Sequence, residues 1–327
     1  MRDFFKKIHR WLSLPFGIII SIICFSGAIL VFSDELNESA NKIEVPPNST
    51  ALTAEQLIEK IKIWKEPNHT FVALHYPTKP DDVAEAQFAE LGRQTVAVNP
   101  YTGEKIGMSG SQLVATTKKI HRWLMMPPTD THGGMSLGRI IIGTTAIAMT
   151  FIIISGIILW WPRNLTMLKN RLKVCFSMGW KRFIYDSHVS LGIYAAVFLL
   201  IMSVTGPIFS FSWYRSAATA IAGGSQQETF KHDKSGKPQT PITQVTIVKK
   251  GQPQMPSSQN NNKNTSKGKL PVQVIFGQLH TGSIGGNLLR IIYFIAAIIG
   301  GLLPWSGYYL WWQKRKSKSQ IVSSPRT

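Results

Sequence analysis

Residues 140–161 read IIIGTTAIAMTFIIISGIILWW and contain no charged side chain. A helix needs roughly 20 apolar residues to cross a bilayer core of about 30 Å, and in lipid only a helix satisfies its backbone groups within one segment. Three more uncharged apolar runs occupy residues 11–32, 189–213 and 291–312. The sequence therefore predicts an all-α membrane protein, a bundle of four transmembrane helices.

The composition excludes several other classes of protein. Hydrophobic residues make up 44% of the 327 residues, which is too many for a chain that is disordered throughout. Two cysteines do not make a disulfide scaffold. The formal charge is +19, but the apolar residues are concentrated in blocks. This excess therefore predicts membrane topology and contact with the lipid bilayer, not binding to nucleic acid.

Lysine and arginine residues predict the orientation. They flank the apolar runs in the tail 1–10, in the segment 162–187 and in the tail 313–327. These three segments must share one side of the membrane, and the positive-inside rule makes it the cytoplasm. The longer segments 33–138 and 214–289 then lie outside.

The first apolar run has a competing interpretation as a cleaved signal peptide. Its apolar stretch in residues 1–33 is longer than the corresponding region of such a peptide, and no small-x-small cleavage site follows. We therefore expect an uncleaved first span, which leaves both termini in the cytoplasm.

The four runs form two matching pairs. In the first and third, a histidine is followed by a glycine 18 residues later and a phenylalanine 23 residues later. In the second and fourth, an arginine is followed by glycine and tryptophan after 17 and 21 residues. This predicts a duplicated two-span unit with halves related by an axis along the membrane normal. The matching positions are His9, Gly27 and Phe32 with His188, Gly206 and Phe211, and Arg139, Gly156 and Trp160 with Arg290, Gly307 and Trp311.

The first outside segment predicts a small α+β module. Thr53-Ala54-Glu55-Gln56 resembles a capping box at the start of a helix that continues to about Trp64. An antiparallel meander follows, with a turn at 99–103 before its last strand. The predicted strands are residues 71–76, 85–90, 94–98 and 104–106.

The second outside segment differs from the first. Residues 231–270 are rich in Lys, Gln, Asn, Ser and Pro, which predicts that most of this stretch is disordered. Ile242–Val248 is a candidate for one strand. The predicted parts of the chain are the tail and first span (1–33), the outside module (34–120), a loop and the second span (121–161), a basic cytoplasmic loop (162–187), the third span (188–213), an outside loop (214–288), the fourth span (289–312) and a basic tail (313–327).

Four histidines bracket the membrane. His9 and His188 begin the first and third spans at matching positions, and His121 and His280 precede the second and fourth at unequal distances, 18 residues before Arg139 and 10 before Arg290. One histidine beside a span is usually an interfacial polar residue. Two imidazoles from facing helices, however, are what six-coordinate haem iron needs above and below its ring. With no Cys-x-x-Cys-His motif for covalent attachment, the histidines predict two haems, one on an inner pair (His9 and His188) and one on an outer pair (His121 and His280).

The glycines of the spans support these two positions. Eighteen residues make five helical turns, about 27 Å, so the glycine of a span lies on the face of its histidine but in the opposite leaflet. A missing side chain there would leave room for a flat macrocycle, although glycines also let helices pack closely. The glycines expected beside the macrocycles are Gly27 and Gly206 at the outer pair and Gly156 and Gly307 at the inner pair.

Two assignments stay open on these residues. His132 lies seven residues before Arg139 and is a rival to His121 as the outer ligand. Arg139 and Arg290 either bind haem propionates or extend to lipid headgroups. The spans hold no carboxylate and no spaced metal motif, which argues against a metal site of the soluble type and against ion transport.

Short motifs carry a resemblance to a known family. They are Ile8-His9-Arg10-Trp11-Leu12, Ser26-Gly27, Val96–Gly103, Ile120-His121-Arg122-Trp123-Leu124, Leu137-Gly138-Arg139, Ser155-Gly156, Leu159-Trp160-Trp161-Pro162-Arg163 and Leu279-His280-Thr281-Gly282. Together they resemble the PepSY-associated transmembrane family, known for iron-regulated proteins of the bacterial inner membrane. The resemblance covers nearly the whole chain.

The resemblance implies a four-helix membrane bundle with a PepSY-like periplasmic module. Similar members include siderophore reductases with two b-type haems, which implies that His9, His188, His121 and His280 are the haem ligands. His132 has no place in that pattern. We expect an oxidoreductase that passes electrons from an unidentified cytoplasmic donor to a periplasmic ferric chelate. The alternative is a non-enzymatic, membrane-anchored interaction protein whose PepSY module binds or restrains a periplasmic partner.

Overall fold

A computed structural model describes residues 1–64, 70–92, 94–126, 135–222, 246–249 and 272–323. The candidate ligand His132 and most of the predicted disordered stretch lie outside these residues. In the described part of the chain the helices are α1 (Arg2–Val31), α2 (Ser33–Ala40), α3 (Ala54–Ile63), α4 (Gln112–Trp123), α5 (Leu137–Trp160), α6 (Leu165–Arg171), α7 (Trp180–Thr205), α8 (Ser212–Ile221), α9 (Val272–Thr281) and α10 (Gly286–Ser323).

The protein is mostly helical, and α1, α5, α7 and α10 are long and apolar enough to cross a membrane. This confirms the four predicted spans. Helix α1 packs against α5 and α10, and α7 packs against the same two helices. The sequence pattern did not identify the shorter helices α2, α4, α6, α8 and α9, because none of them is an uncharged run of membrane length.

Small residues bring the four long helices close together. At Gly300 an added Cβ would lie 3.1 Å from the Sγ of Cys24, and a buried cluster that includes Cys24 and Leu199 fills the centre of the bundle. Hydroxyl groups also join neighbouring helices. Ser21 donates to the carbonyl of Gly301 at 2.8 Å. Close backbone approach and interhelical hydrogen bonds are the usual means of association in lipid, where burial of apolar surface gives no drive.

A second part of the chain forms a sheet covered by α3. Its strands are β1 (Phe71–Tyr76), β2 (Ala84–Phe88), β3 (Thr95–Val98), β4 (Lys105–Met108) and β5 (Thr246–Lys249), in the order β4-β3-β2-β1-β5. The pairs among β1 to β4 are antiparallel, and β5 pairs with β1 in parallel.

Most of this sheet lies where the sequence predicted it. The strand 71–76 is confirmed, and the next three begin or end within about two residues of the predicted limits, the usual uncertainty of boundaries. Thr53 accepts from the backbone N–H of Gln56 in a complete capping box. Leu57 and Ile61 of α3 are buried against Leu74 and Val98 of the sheet.

The described residues fall into two compact units. The first comprises Met1–Val31 with the described residues of Thr116–Gln227 and Gly268–Thr327. The second comprises Phe32–Ala115 together with β5, which lies within Glu228–Lys267. The second outside segment of the sequence therefore contributes a strand to the sheet of the first.

Gly138 provides a test of the packing at the start of α5. An added Cβ would overlap the backbone carbonyl oxygen of Trp123, at the end of α4, and a backbone atom cannot move without shifting its helix. Gly138→Ala should therefore lower the unfolding temperature of the purified protein in detergent, at a cost of about 1–3 kcal/mol. Gly192→Ala is the matched control, because its Cβ would lie 3.8 Å from Leu303, an ordinary contact. Equal unfolding temperatures for the two variants would contradict this packing.

Candidate functional site

The structure brings the predicted histidines together as two pairs. The ring centres of His9 in α1 and His188 in α7 are 6.4 Å apart, with the ring planes at 90°. Those of His121 in α4 and His280 in α9 are 6.2 Å apart, with an angle of 59°. All four histidines belong to the first compact unit.

His9 and His121 each bind a neighbouring long helix through Nδ1. For His9, this atom lies 3.0 Å from the carbonyl oxygen of Ile152 and 3.1 Å from the hydroxyl of Ser155, both in α5. For His121, it lies 3.0 Å from the carbonyl oxygen of Ile23 and from the hydroxyl of Ser26, both in α1. A histidine of α1 thus contacts α5, and a histidine of α4 contacts α1.

The second half repeats the arrangement. Nδ1 of His280 lies 3.1 Å from the carbonyl oxygen of Met202 and 3.0 Å from the hydroxyl of Thr205, both in α7. Nδ1 of His188 lies 2.7 Å from the hydroxyl of Ser306 in α10. Each histidine is therefore held by the Ser-Gly or Thr-Gly pair of a different helix.

These hydrogen bonds determine where the proton of each neutral imidazole lies. A carbonyl oxygen only accepts, so Nδ1 is the donor in the three cases with a carbonyl partner. At His188 the Ser306 hydroxyl donates its own hydrogen to the carbonyl of Leu303 at 2.8 Å, so it accepts from Nδ1. Nε2 is then unprotonated, and within the described residues it has no hydrogen-bond partner in any of the four.

Each glycine lies against an imidazole ring. A Cβ added to Gly27 would lie 3.0 Å from Cε1 of His121, and one added to Gly156 would lie 3.3 Å from Cε1 of His9. The corresponding distances are 3.5 Å from Gly206 to His280 and 3.6 Å from Gly307 to His188. The imidazole occupies the space beside each glycine, because the ring must approach the helix backbone closely to reach its carbonyl. Room for a macrocycle beside these glycines stays a prediction.

A cavity of about 390 Å³ surrounds the inner pair between the four long helices. Apolar side chains form most of its wall, and Arg10, Arg171 and Tyr185 are among the polar residues that line it. Arg171 donates to the carbonyl oxygens of Leu159 and Trp160. Trp160 also lines the cavity, and its indole N–H is buried without an acceptor among the described residues. Because an unpaired buried donor is costly, this atom indicates a place for an acceptor.

Arg139 and Arg290 bind helix ends. Arg139 donates to the carbonyl oxygen of Phe209, the last residue of a 3₁₀ helix (Gly206–Phe209) that continues α7, at 3.2 and 2.8 Å. Arg290 donates to that of Val31, the last residue of α1, at 2.5 Å. A cation at the C-terminal end of a helix is stabilised by the helix dipole. The binding of propionates by these arginines stays a prediction.

Burial keeps the outer pair neutral. Desolvation lowers the pKa of His121 to about 4, and repulsion from His280 contributes to the decrease. Desolvation also lowers the pKa of His280. Neutral imidazole is the form that binds metals.

The described residues contain no cluster of three or more His, Cys, Asp or Glu side chains that could hold a metal ion. Each pair therefore offers two protein donors, and a metal bound there takes its other ligands from elsewhere. Sequence reasoning used the Ser-Gly and Thr-Gly pairs only as markers of the repeat. It did not predict that the serine and threonine hydroxyls would be hydrogen-bond partners of the histidines. The recurrence of a hydroxyl before the glycine in all four spans was a signal for this role.

A known protein family matches most of the chain. The family described as "PepSY-associated TM region" matches residues 6–314. The chain belongs to this PepSY-associated transmembrane family. No curated protein gives a significant match. Family membership and the four apolar helices make this a multi-pass membrane protein whose spans contact the lipid bilayer.

The low pKa of His121 predicts that acid destabilises the outer pair. The unfolded chain binds this proton near the ordinary pKa of 6.5, whereas the folded protein binds it only near about 4. The contribution of His121 to stability is therefore complete above about pH 6.5 and is lost as the pH falls toward about 4. Thermal unfolding in detergent across this range should show the decline, and His121→Gln should flatten it. A wild-type profile as flat as that of the variant would exclude the effect.

Proposed function

We propose that the protein is an electron-transfer protein of the bacterial inner membrane that holds two b-type haems. His9 and His188 would bind one haem, and His121 and His280 the other. Electrons would come from a cytoplasmic donor and leave to a periplasmic ferric chelate such as a ferric siderophore, which makes the protein an oxidoreductase. The observation that carries the proposal is the two histidine pairs, each with unprotonated Nε2 atoms and ring centres little more than 6 Å apart.

The spacing within the pairs fits axial ligation. A first-row metal binds an imidazole nitrogen at about 2.0–2.1 Å, so two imidazoles on opposite sides of one ion have ring centres about 6–6.5 Å apart. The observed distances are 6.4 and 6.2 Å. Each pair would supply two imidazole nitrogens to one haem iron, and the porphyrin would supply the other ligands.

The inner cavity also fits such a group. Its walls are mainly apolar, as the faces of a macrocycle require, and Arg10, Arg171 and Tyr185 supply polar groups for carboxylates. The buried N–H of Trp160 lacks an acceptor that a bound carboxylate would provide. At the outer pair, the spacing of the two ring centres and the neutral imidazoles support the binding of a haem.

When bound, haem supplies reversible one-electron chemistry that the side chains themselves lack. The residues of the chain hold the two imidazoles of each pair on opposing helices and keep their Nδ1 protonated. Reduction of the external chelate favours iron release, because hard oxygen ligands suit ferric iron better than ferrous iron.

We propose that the two halves of the bundle arose by duplication. Support comes from a contact that occurs twice in each half. A histidine of one helix lies within hydrogen-bond distance of a serine or threonine hydroxyl that directly precedes a glycine in another helix. We propose that the inner pair lies on the cytoplasmic side, because the positive-inside rule would put the basic tails and the segment 162–187 in the cytoplasm. The unit built on α3 and the sheet would then be a PepSY-like periplasmic module.

Haem stoichiometry tests the proposal. Full-length protein expressed with sufficient haem should contain two haems per chain, with a Soret band and an α-band that shift on reduction. His9→Ala and His121→Ala should each leave one haem, because each removes one axial ligand from a different pair. His75→Gln is the control, since His75 lies in β1 outside both pairs. Purification of the wild-type protein without haem would contradict the proposal.

A second candidate function rests on the compact unit that contains the sheet. In that case the sheet and α3 bind a periplasmic partner, and the long helices only anchor them. Deletion of residues 50–108 should then abolish function, while His9→Ala and His280→Ala should have no effect. Electron transfer predicts the reverse for the histidine variants. Reduction of an external ferric chelate by reconstituted vesicles that enclose a reductant distinguishes the two functions.

A further inference from the structure

We infer that Ser26, Ser155, Thr205 and Ser306 are positioning residues that determine how tightly each histidine pair holds its haem and at what potential. This inference rests on the proposed function. The four hydroxyls lie 2.7–3.1 Å from Nδ1 of His121, His9, His280 and His188, respectively.

Each hydroxyl is itself oriented by the helix that carries it. Ser155 donates to the carbonyl oxygen of Ile152 at 2.8 Å, and Ser306 donates to that of Leu303 at the same distance. Ser26 donates to Ile22 and Ile23. Because its hydrogen is used within its own helix, the hydroxyl presents lone pairs to the imidazole and acts as an acceptor.

Thr205 has the same role with a different side chain. Its hydroxyl donates to the carbonyl oxygens of Ile201 at 2.7 Å and Met202 at 3.3 Å, and it accepts from His280. In all four cases the hydroxyl directly precedes the glycine that lies against the ring. The glycine thus permits the close approach, and the hydroxyl fixes the orientation of the ring.

A hydroxyl in a helix commonly bonds to a carbonyl of its own helix, so that bond alone indicates nothing. Thr144 in α5 does this with the carbonyls of Ile140 and Ile141, and its side chain is exposed. The four positioning hydroxyls differ because each also contacts an imidazole from another helix. That second contact is the observation that carries the inference.

The physical effect on a bound metal follows from the donor Nδ1–H. Acceptors at this atom raise the basicity of the imidazole and fix its tautomer and ring orientation. A more basic axial ligand stabilises the oxidised, more highly charged iron and so lowers the reduction potential. Loss of a hydroxyl leaves Nδ1 with one acceptor fewer. The potential of that centre should then rise, and its haem should be held less tightly.

The test uses full-length protein with single substitutions at the two pairs. Ser155→Ala and Ser306→Ala should raise the midpoint potential of the inner centre only, and Ser26→Ala and Thr205→Ala that of the outer centre only. Haem affinity at the affected centre should fall about 10-fold or more, as for other partners of metal-bound histidine. We expect the largest effect from Ser306→Ala, because its hydrogen bond to His188 is the shortest of the four.

Conservative variants and a control separate positioning from general packing. Ser155→Thr and Thr205→Ser keep a hydroxyl at the same place and should retain wild-type potentials. Thr144→Ala removes a hydroxyl that contacts no histidine and should change neither centre. Spectroelectrochemical titration and the rate of haem transfer to an excess of apomyoglobin measure the two effects. Unchanged potentials and retention in the four alanine variants would overturn the inference while leaving the proposed function intact.

A separate measurement covers the opposite case. If the wild-type protein binds no haem, the proposed function fails, and ¹⁵N NMR of labelled histidine then decides the inference. The wild-type protein should have its imidazole protons on Nδ1, and each alanine variant should shift the Nδ1 resonance of one histidine. A mixture of tautomers is expected only at His188 in Ser306→Ala, because His9, His121 and His280 keep a carbonyl acceptor. Identical spectra for wild-type and alanine variants would overturn it.

Discussion

The hydrogen bond from the Nδ1 of an imidazole to the backbone of a neighbouring helix is the interaction on which the site depends. It occurs at His9, His121 and His280 with a carbonyl oxygen, and at His188 through the Ser306 hydroxyl. The ring must approach the helix backbone to form this bond, and a glycine that lies against the ring follows each hydroxyl. An added Cβ would crowd the ring at Gly27 and Gly156, at 3.0 and 3.3 Å, and would make an ordinary contact at Gly206 and Gly307, at 3.5 and 3.6 Å.

The same histidine contacts hold neighbouring helices together and form the candidate site. Within each half, a histidine from one element binds the hydroxyl-glycine pair of the next, which links α1 with α5 and α7 with α10. Each histidine pair then joins one residue from each half. A ligand held by either pair would therefore connect the two halves of the bundle and stabilise the fold by binding only the folded protein.

The charge state of the outer pair follows from its burial. The imidazoles of His121 and His280 face each other in a desolvated setting, which lowers the pKa of both and keeps them neutral. Two neutral imidazoles with unprotonated Nε2 atoms repel each other little, whereas two charged ones could not share this space. Neutral imidazole is also the form in which histidine can bind a metal.

The sequence by itself determined the elements with a local signature. Uncharged runs predict the four spans, the Thr53 to Gln56 pattern predicts the start of α3, and alternation predicts β1, because each depends on neighbouring residues along one helix or strand. Equal spacing within the predicted repeat also paired His9 with His188, whereas His121 and His280, at unequal distances before their spans, were paired because both precede a span on the same side. Only the tertiary structure decided that the glycines receive imidazoles, that Arg139 and Arg290 bind helix ends, and that β5 joins β1. These features depend on the rotation and separation of elements far apart in the chain, which no periodicity within a single element records.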